Sequence, residues 1–191
     1  MQGLCWGAKL RSNILIANPS LEDPFFQSTV ILLCSYDQEG AFGLILNRPL
    51  EIDVNMILKQ VPITFPEIPP KPALFGGPVG MTSCMIFFEG ERTIQDAGCS
   101  LLDQDEKTIS VSPSLKELDR LMTKNIPFEL MLGSAGWGGG QLDEEINEGS
   151  WLYSDISPLI LLAVPPSERY NLAITQMGIQ PQEIWHMSIE E

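Results

Sequence analysis

The sequence predicts a mixed α/β or α+β fold with a mixed sheet, and three observations carry that prediction. Short apolar, β-branched runs of strand length alternate with segments of helical period; some strand pairs are joined by links tight enough for hairpins; and no exact repeat runs through the chain. A regular doubly wound sheet would instead show a helical crossover after each strand.

Taken in order, "NILIAN" (13–18) and "STVILLCSY" (28–36) read as strands separated by "PSLEDPFFQ", where Asp23 can cap and Pro24 begin a short helical turn. The link "DQEG" to "AFGLILN" (41–47) predicts a hairpin. A short helix is expected from Asp53, since Val54, Ile57, Leu58 and Val61 keep helical spacing. "VPITFPEIPPKP" (61–72) holds five prolines and cannot be regular helix. Strands follow at "ALFGG" (73–77), "CMIFFEG" (84–90) and, after the polar "DQDEK", at "TISVS" (108–112). Ser112 and Pro113 are expected to open a helix whose apolar face is Leu115, Leu118, Leu121 and Met122. The strand "PFELML", a glycine-rich stretch, a helix carrying Leu142 and Ile146, and strands at "SWLYS" and "PLILLAV" complete the pattern up to a last helix after Ser167, with Tyr170, Ala173, Ile174 and Met177 on one face and Gly178 ending it.

With 44% hydrophobic residues, the 191-residue chain can bury a substantial core as one compact domain over 1–191, or as two closely packed lobes joined near 61–72. No run approaches the ~20 apolar residues of a membrane span and no secretory signal opens the sequence, so the expected compartment is the cytoplasm, without a membrane partner. Cys5, Cys34, Cys84 and Cys99 lack C-x-x-C spacing and read as reduced thiols rather than disulfides or zinc ligands. The single histidine, His186, leaves the interior without the commonest general base and excludes a His-rich metal site. Neither a metal nor a cofactor is expected.

The formal net charge of −14, with eleven Lys and Arg residues dispersed, disfavours direct nucleic-acid binding. Lys116, Arg120 and Lys124 would share a helix face, but three cations with Glu117 and Asp119 between them describe a solvated face near a helix C-terminus.

"MLGSAGWGGGQLDEE" (131–145) is the most unusual stretch. It lacks the lysine of a Walker loop, and its glycines miss the G-x-G-x-x-G spacing of a dinucleotide site. Asp143, Glu144 and Glu145 would repel an anion at the following helix start. Ser134 sits where a hydrolase elbow would place a nucleophile, but Leu132 replaces the first motif glycine and no base is evident. The stretch is therefore expected to be a sharp bend between strand and helix, with Gly136 and Gly139 at positive φ, Trp137 plugging the junction, and Gln141 and the acidic turn covering exposed amides.

In succession, "LIANPSLEDPFFQSTV", "GAFGLILNRP", "LFGGPVG" and "LGSAGWGGGQLDEEI…WL" resemble the AlgH/YqgE family of bacterial proteins, from about Leu10 to about Val164. The resemblance implies a single α/β unit with a bifurcated, partly barrel-like sheet and flanking helices, cytosolic, with no agreed biochemical activity. It also brings a transcriptional-regulator label, for which this sequence offers no helix-turn-helix. Where relatives often carry histidines, this chain has the Cys34–Ser35 region and "IFFEG", and Ser134 stands where an aromatic residue is common.

Two function classes follow. The favoured one is an acidic, non-enzymatic binding or regulatory protein that acts through a protein partner or a small anionic ligand. Its site is expected at Asn47 and Arg48 of "LNRP", at Gly76, Gly77 and Pro78, and at Trp137 and Gln141, with Arg48 as the natural anion anchor. The alternative is a hydrolase-like enzyme using Asp23, Ser134 or the acidic helix start.

Overall fold

The computed structural model describes residues 14–102 and 107–179. Ten strands and five helices follow in the order β1 (Ile14–Ala17), β2 (Val30–Asp37), β3 (Gly40–Ile45), β4 (Pro49–Asp53), α1 (Val54–Leu58), β5 (Pro72–Phe75), β6 (Val79–Glu89), β7 (Cys99–Leu102), β8 (Thr108–Ser112), α2 (Leu115–Thr123), β9 (Phe128–Gly138), α3 (Gln141–Asn147), β10 (Trp151–Ser154), α4 (Pro158–Leu162) and α5 (Pro166–Gln176). The strands make one sheet in the order β10-β1-β2-β3-β9-β6-β8-β7, with β4 and β5 branching from β9. Every ladder is antiparallel except β5 on β9. The architecture is thus α+β with a bifurcated sheet, as expected. The barrel-like component is not closed: β10 and β7 are its two ends and do not pair with each other.

β9 is where the sequence-based expectation needed correction. The glycine stretch is not a bend after a finished strand, because β9 continues through it to Gly138. Residues 128–134 of β9 pair with β6, and residues 135–138 pair with β3, Ala41 opposite Trp137. The partner changes between Ser134 and Ala135, directly after Gly133, where φ is +74°. A Cβ there would fall inside the Gly77 carbonyl, and a Cβ on Gly77, itself at φ +144°, would overlap the Ser134 backbone. The two segments touch backbone to backbone, which only glycine permits. Gly136 and Gly139, expected at positive φ, are not in that region; Gly136 has ordinary contacts only, and Gly139 is constrained instead by the Gln38 carbonyl.

Side chains on β6 and β9 alternate between two cores. Phe87 and Met131 join the larger core with β1, β2, β3 and α5, while Ile86, Phe88 and Leu130 join Val54 and Leu58 of α1 and Leu118 and Leu121 of α2. The proline-rich segment 61–72 connects β4–α1 to β5 and returns to the same ladder, since β4 and β5 pair with each other.

Local chemistry explains the remaining helix ends. Asp53 caps α1 by accepting from the Asn55 N–H. For α2 the expected cap was misplaced: Ser112 is buried in β8 and donates to Asp96, and the helix begins after Ser114. "PLILLAV" forms α4 instead of a strand, because Ser157 caps the Leu159 N–H and Pro158 occupies the first turn. The strands β4 and β7 were not anticipated. No helix among the described residues is long and apolar enough to cross a membrane.

α5 locks the sheet from outside. Arg169, 1% exposed, donates to the Leu46 carbonyl (2.5 Å), the Val164 carbonyl (3.2 Å) and Glu129 Oε1 (3.0 Å), and the Tyr170 hydroxyl donates to the Ala17 carbonyl (3.0 Å). Lys71 stands 4.1 Å over the Phe128 ring, and burial lowers its pKa although Glu129 opposes the shift.

Gly133→Ala should destabilise the protein by about 2 kcal/mol or more, from αL strain plus overlap with the Gly77 carbonyl, whereas Gly136→Ala should stay within about 0.5 kcal/mol. Urea unfolding of the two variants beside the parent measures both; equal losses would mean that glycine at the partner change is not required.

Candidate functional site

Of the seven residues expected to form a site, Asn47, Arg48 and Trp137 meet the turn at residues 23–28 between β1 and β2 or its end, Gly76, Gly77 and Gln141 hold the segments next to those contacts, and half-buried Pro78 leads into β6. Asp23 Oδ1 accepts from the N–H groups of Phe25 (2.8 Å) and Phe26 (3.0 Å), so the expected cap forms, as a turn that does not extend into helix. Asn47 fastens the end of this turn. Its Oδ1 accepts from the Val30 N–H and its Nδ2 donates to the Ser28 carbonyl, both at 2.8 Å. Arg48 holds the other side, donating from Nη1 to the Pro24 carbonyl (3.2 Å) and from Nη2 to the Gln27 carbonyl (2.7 Å). Burial draws its pKa down, while the Asp23 carboxylate pulls the other way. "LNRP" is therefore a clamp on backbone carbonyls, a task that suits a planar fork of donors.

Gly76 and Gly77 lie beneath, against Gly133 and Ser134. Phe75, next to them, stacks on Phe25 of the turn at 6.3 Å between centroids. On the opposite side Phe26 stacks on Trp137 (6.2 Å), and Trp151 meets both rings edge-on at 5.7 and 5.8 Å. The buried Trp137 and Trp151 point their indole N–H groups at one carboxylate oxygen, Glu145 Oε2, at 2.8 and 2.7 Å. Gln141 completes the arrangement: its Nε2 donates to Glu145 Oε1 (2.8 Å) and its Oε1 accepts from the Gly138 N–H (3.0 Å). Arg48 and Trp137 thus both hold the same turn, Arg48 through the Pro24 and Gln27 carbonyls and Trp137 through the Phe26 ring.

The groups considered for catalysis have other partners. Asp143 accepts from the Tyr36 hydroxyl at 2.5 Å, a bond that, with burial, pushes the phenol up to about 12. Ser134 Oγ reaches the Val79 carbonyl at 3.4 Å, its register partner on β6. His186 and Cys5 lie outside the described residues. Cys34, Cys84 and Cys99 are free thiols, and no group of three or more His, Cys, Asp or Glu able to hold a metal occurs among the described residues. One cavity of about 460 Å³ is lined by Arg92, Ile94, Ser100 and Leu102, and another of about 220 Å³ by Leu58, Ile63 and Phe65; none of the seven residues lines either.

On α2, Arg120 folds back on buried Glu117 and lies 5.6 Å over the Phe88 ring, leaving Lys116 and Lys124 without the middle member of a cationic stripe. Burial opposes the Glu117 charge, yet the Thr93 N–H and hydroxyl and Arg120 hold its pKa below the usual range.

Several residues around the turn were not singled out from sequence. Phe25, Val79 and Met81 are exposed large apolar side chains, at 48%, 54% and 42%; Val79 and Met81 lie against Gly133, and Phe25 stacks on Phe75, the residue before Gly76. The doublet "FF" directly after a capping Asp-Pro was a usable signal for Phe25, since a turn seldom has room to bury both rings. Glu145 had none, standing among three consecutive acids.

Glu145→Ala strands two indole N–H groups and should cost about 2–4 kcal/mol, against about 0.5 kcal/mol or less for exposed Glu148→Ala. Urea melts followed by tryptophan fluorescence test this, and equal effects would remove Glu145 from its structural role.

Comparison with known proteins agrees with this architecture. The AlgH-like family model matches residues 14–182. A UPF0301 protein of Vibrio atlanticus is 35% identical over 183 residues, spanning 92% of this chain and 95% of its own. One from Burkholderia multivorans is 35% identical over 175 residues, 89% of each. The solution structure of AlgH from Pseudomonas aeruginosa superimposes with a TM-score of 0.71 at 27% identity, covering 94% of this chain and 93% of that one. A Corynebacterium diphtheriae protein, DIP2367, shares the fold at a TM-score of 0.58 and 21% identity. With a matched family model, relatives above 30% identity along almost the whole chain, and a solved relative of the same fold, this chain belongs to the AlgH-like family.

Proposed function

We propose that this is a non-enzymatic binding or regulatory protein of the cytoplasm, acting through a protein partner that seats on the apolar surface around Phe25, Val79 and Met81. The observation that carries the reading is the exposure of those three side chains, Val79 and Met81 against Gly133 and Phe25 on Phe75 beside Gly76, with Phe25 carried by a turn that Asn47 and Arg48 hold. Grouped apolar exposure marks an interaction surface more often than isolated side chains do, and a clamped turn presents Phe25 at little ordering cost. Supporting it, Ser134, Asp143 and Glu145 are engaged by Val79, Tyr36 and the two tryptophans, so a hydrolytic step would first have to free its own groups. A small anion at Arg48 would similarly have to displace the Pro24 and Gln27 carbonyls, which favours the protein partner.

A photo-reactive residue at Val79 or Met81 should give a discrete protein adduct in cells, one absent when the probe sits at exposed Lys116 and lost in a Phe25→Ser variant of unchanged Tm. Equal labelling from all positions would remove the surface from consideration.

Any effect on transcription then runs through that partner. A net charge of −14 and a folded-back Arg120 leave too few phosphate contacts for a duplex. Fluorescence anisotropy with genomic fragments should show no fragment-selective binding at ~150 mM salt; selective binding that persists there would make the protein a direct DNA reader.

A further inference from the structure

The cavity of about 460 Å³ lies between β7 and the loop that leads into it, and none of Phe25, Val79 and Met81 lines it. Its charged lining residues are Glu91 and Arg92, and its apolar ones are Ile94, Leu101 and Leu102. Leu101 is buried and Leu102 is 64% exposed, so apolar surface runs from the interior out to solvent.

Arg92 is held in place by two sets of bonds. Its Nη1 donates to Asp96 Oδ1 at 2.6 Å, and that carboxylate is itself fixed by the Gly98 N–H (2.8 Å) and the Ser112 hydroxyl (2.6 Å). Its Nε donates to Ser100 Oγ at 3.3 Å. Because the Ser110 hydroxyl donates to the Gly90 carbonyl (2.7 Å), the 2.9 Å bond between the two serines runs from Ser100 to Ser110, and a directed chain links the guanidinium to the backbone. A planar fork tied at Nε and Nη1 has the direction of Nη2 fixed as well, and among the described residues Nη2 meets no acceptor. The Thr93 N–H and hydroxyl, each 3.0 Å from Glu117 Oε2, fasten the same loop to α2.

We propose that this cavity is a binding site for a small organic monocarboxylate with an apolar chain, whose carboxylate accepts from Arg92 Nη2 and whose chain lies along Ile94, Leu101 and Leu102. The volume falls within the range of roughly 300–1,000 Å³ usual for small-molecule sites. The lining selects the class. A single guanidinium, part of whose charge Asp96 already balances, suits a monoanion better than a phosphate, and Glu91 weighs against a second negative charge. Three aliphatic side chains reward an apolar tail. Asp96, Ser100 and Glu117 hold the loop in the free protein, so binding has little ordering cost to meet.

The test is amide NMR of the full, ¹⁵N-labelled chain titrated with hexanoate, hexanamide and hexylamine, which share a chain length and differ in the charge of the head. Hexanoate should give saturable shifts centred on residues 91–95, 100–102 and 108, with a Kd of about 1 mM or tighter. Butyrate should bind about ten-fold more weakly, having two methylenes fewer to bury. Hexanamide and hexylamine should each bind weaker than hexanoate by about ten-fold or more, and Arg92→Gln should weaken hexanoate to a similar extent. Equal affinity for the three heads, preference for hexylamine, shifts centred elsewhere, or no saturable shift by about 20 mM hexanoate would overturn the proposal. The comparison of heads on the parent protein decides it even where Arg92→Gln does not fold.

Discussion

The backbone crossing of Gly76–Gly77 on Gly133–Ser134 is the constraint around which the molecule is arranged. It allows one strand, β9, to leave β6 and β5 and take up β3 without a break. Two cores are thereby formed on a single sheet, because side chains before the crossing alternate between α1–α2 and the β1–β2–β3 layer, while those after it, Ala135 and Trp137, serve only the latter. Close approach of two backbones offers no side-chain packing in return, so stability must come from what the crossing positions: Trp137 beneath Phe26, and Glu145 between two indoles.

The same arrangement explains why the distinctive motifs are so spread along the chain. "LNRP", "GGPV" and "AGW…GQL" act on neighbouring pieces of backbone. Each contributes a different kind of restraint to one turn: carbonyl clamping by Asn47 and Arg48, backbone contact by the glycines, and aromatic stacking by Trp137.

Much of this was legible from residue patterns. Hairpin chemistry at "DQEG" works as read, with Asp37 accepting from Glu39 and Gly40, and Asp53 and Gly178 end their elements as their types require. The site residues could be named, but not their roles, since an arginine that clamps carbonyls and one that awaits an anion look alike in sequence. The failures share a cause. "GSAGWG" reads as punctuation because glycine is permissive, yet a strand crossing another backbone needs the same permissiveness. "PLILLAV" is too short for period to separate strand from helix, and Ser157–Pro158 decided it. β7, "CSLL", is held by β8 and by the core behind it rather than by any local signal.

The buried ion pair between Arg169 and Glu129 has a consequence for biosynthesis. The carboxylate leaves the ribosome forty residues ahead of its guanidinium partner. Until then, among the described residues, Glu129 has the more distant Lys71, 4.0 Å away in the finished structure, as the cation to offset the cost of entering the sheet, and the Leu46 carbonyl lacks the Arg169 donor. The nascent sheet is therefore held short of its final packing until α5 has emerged, which delays commitment of the β1–β2–β3 layer to a stage when β10, its outer neighbour, has already been made.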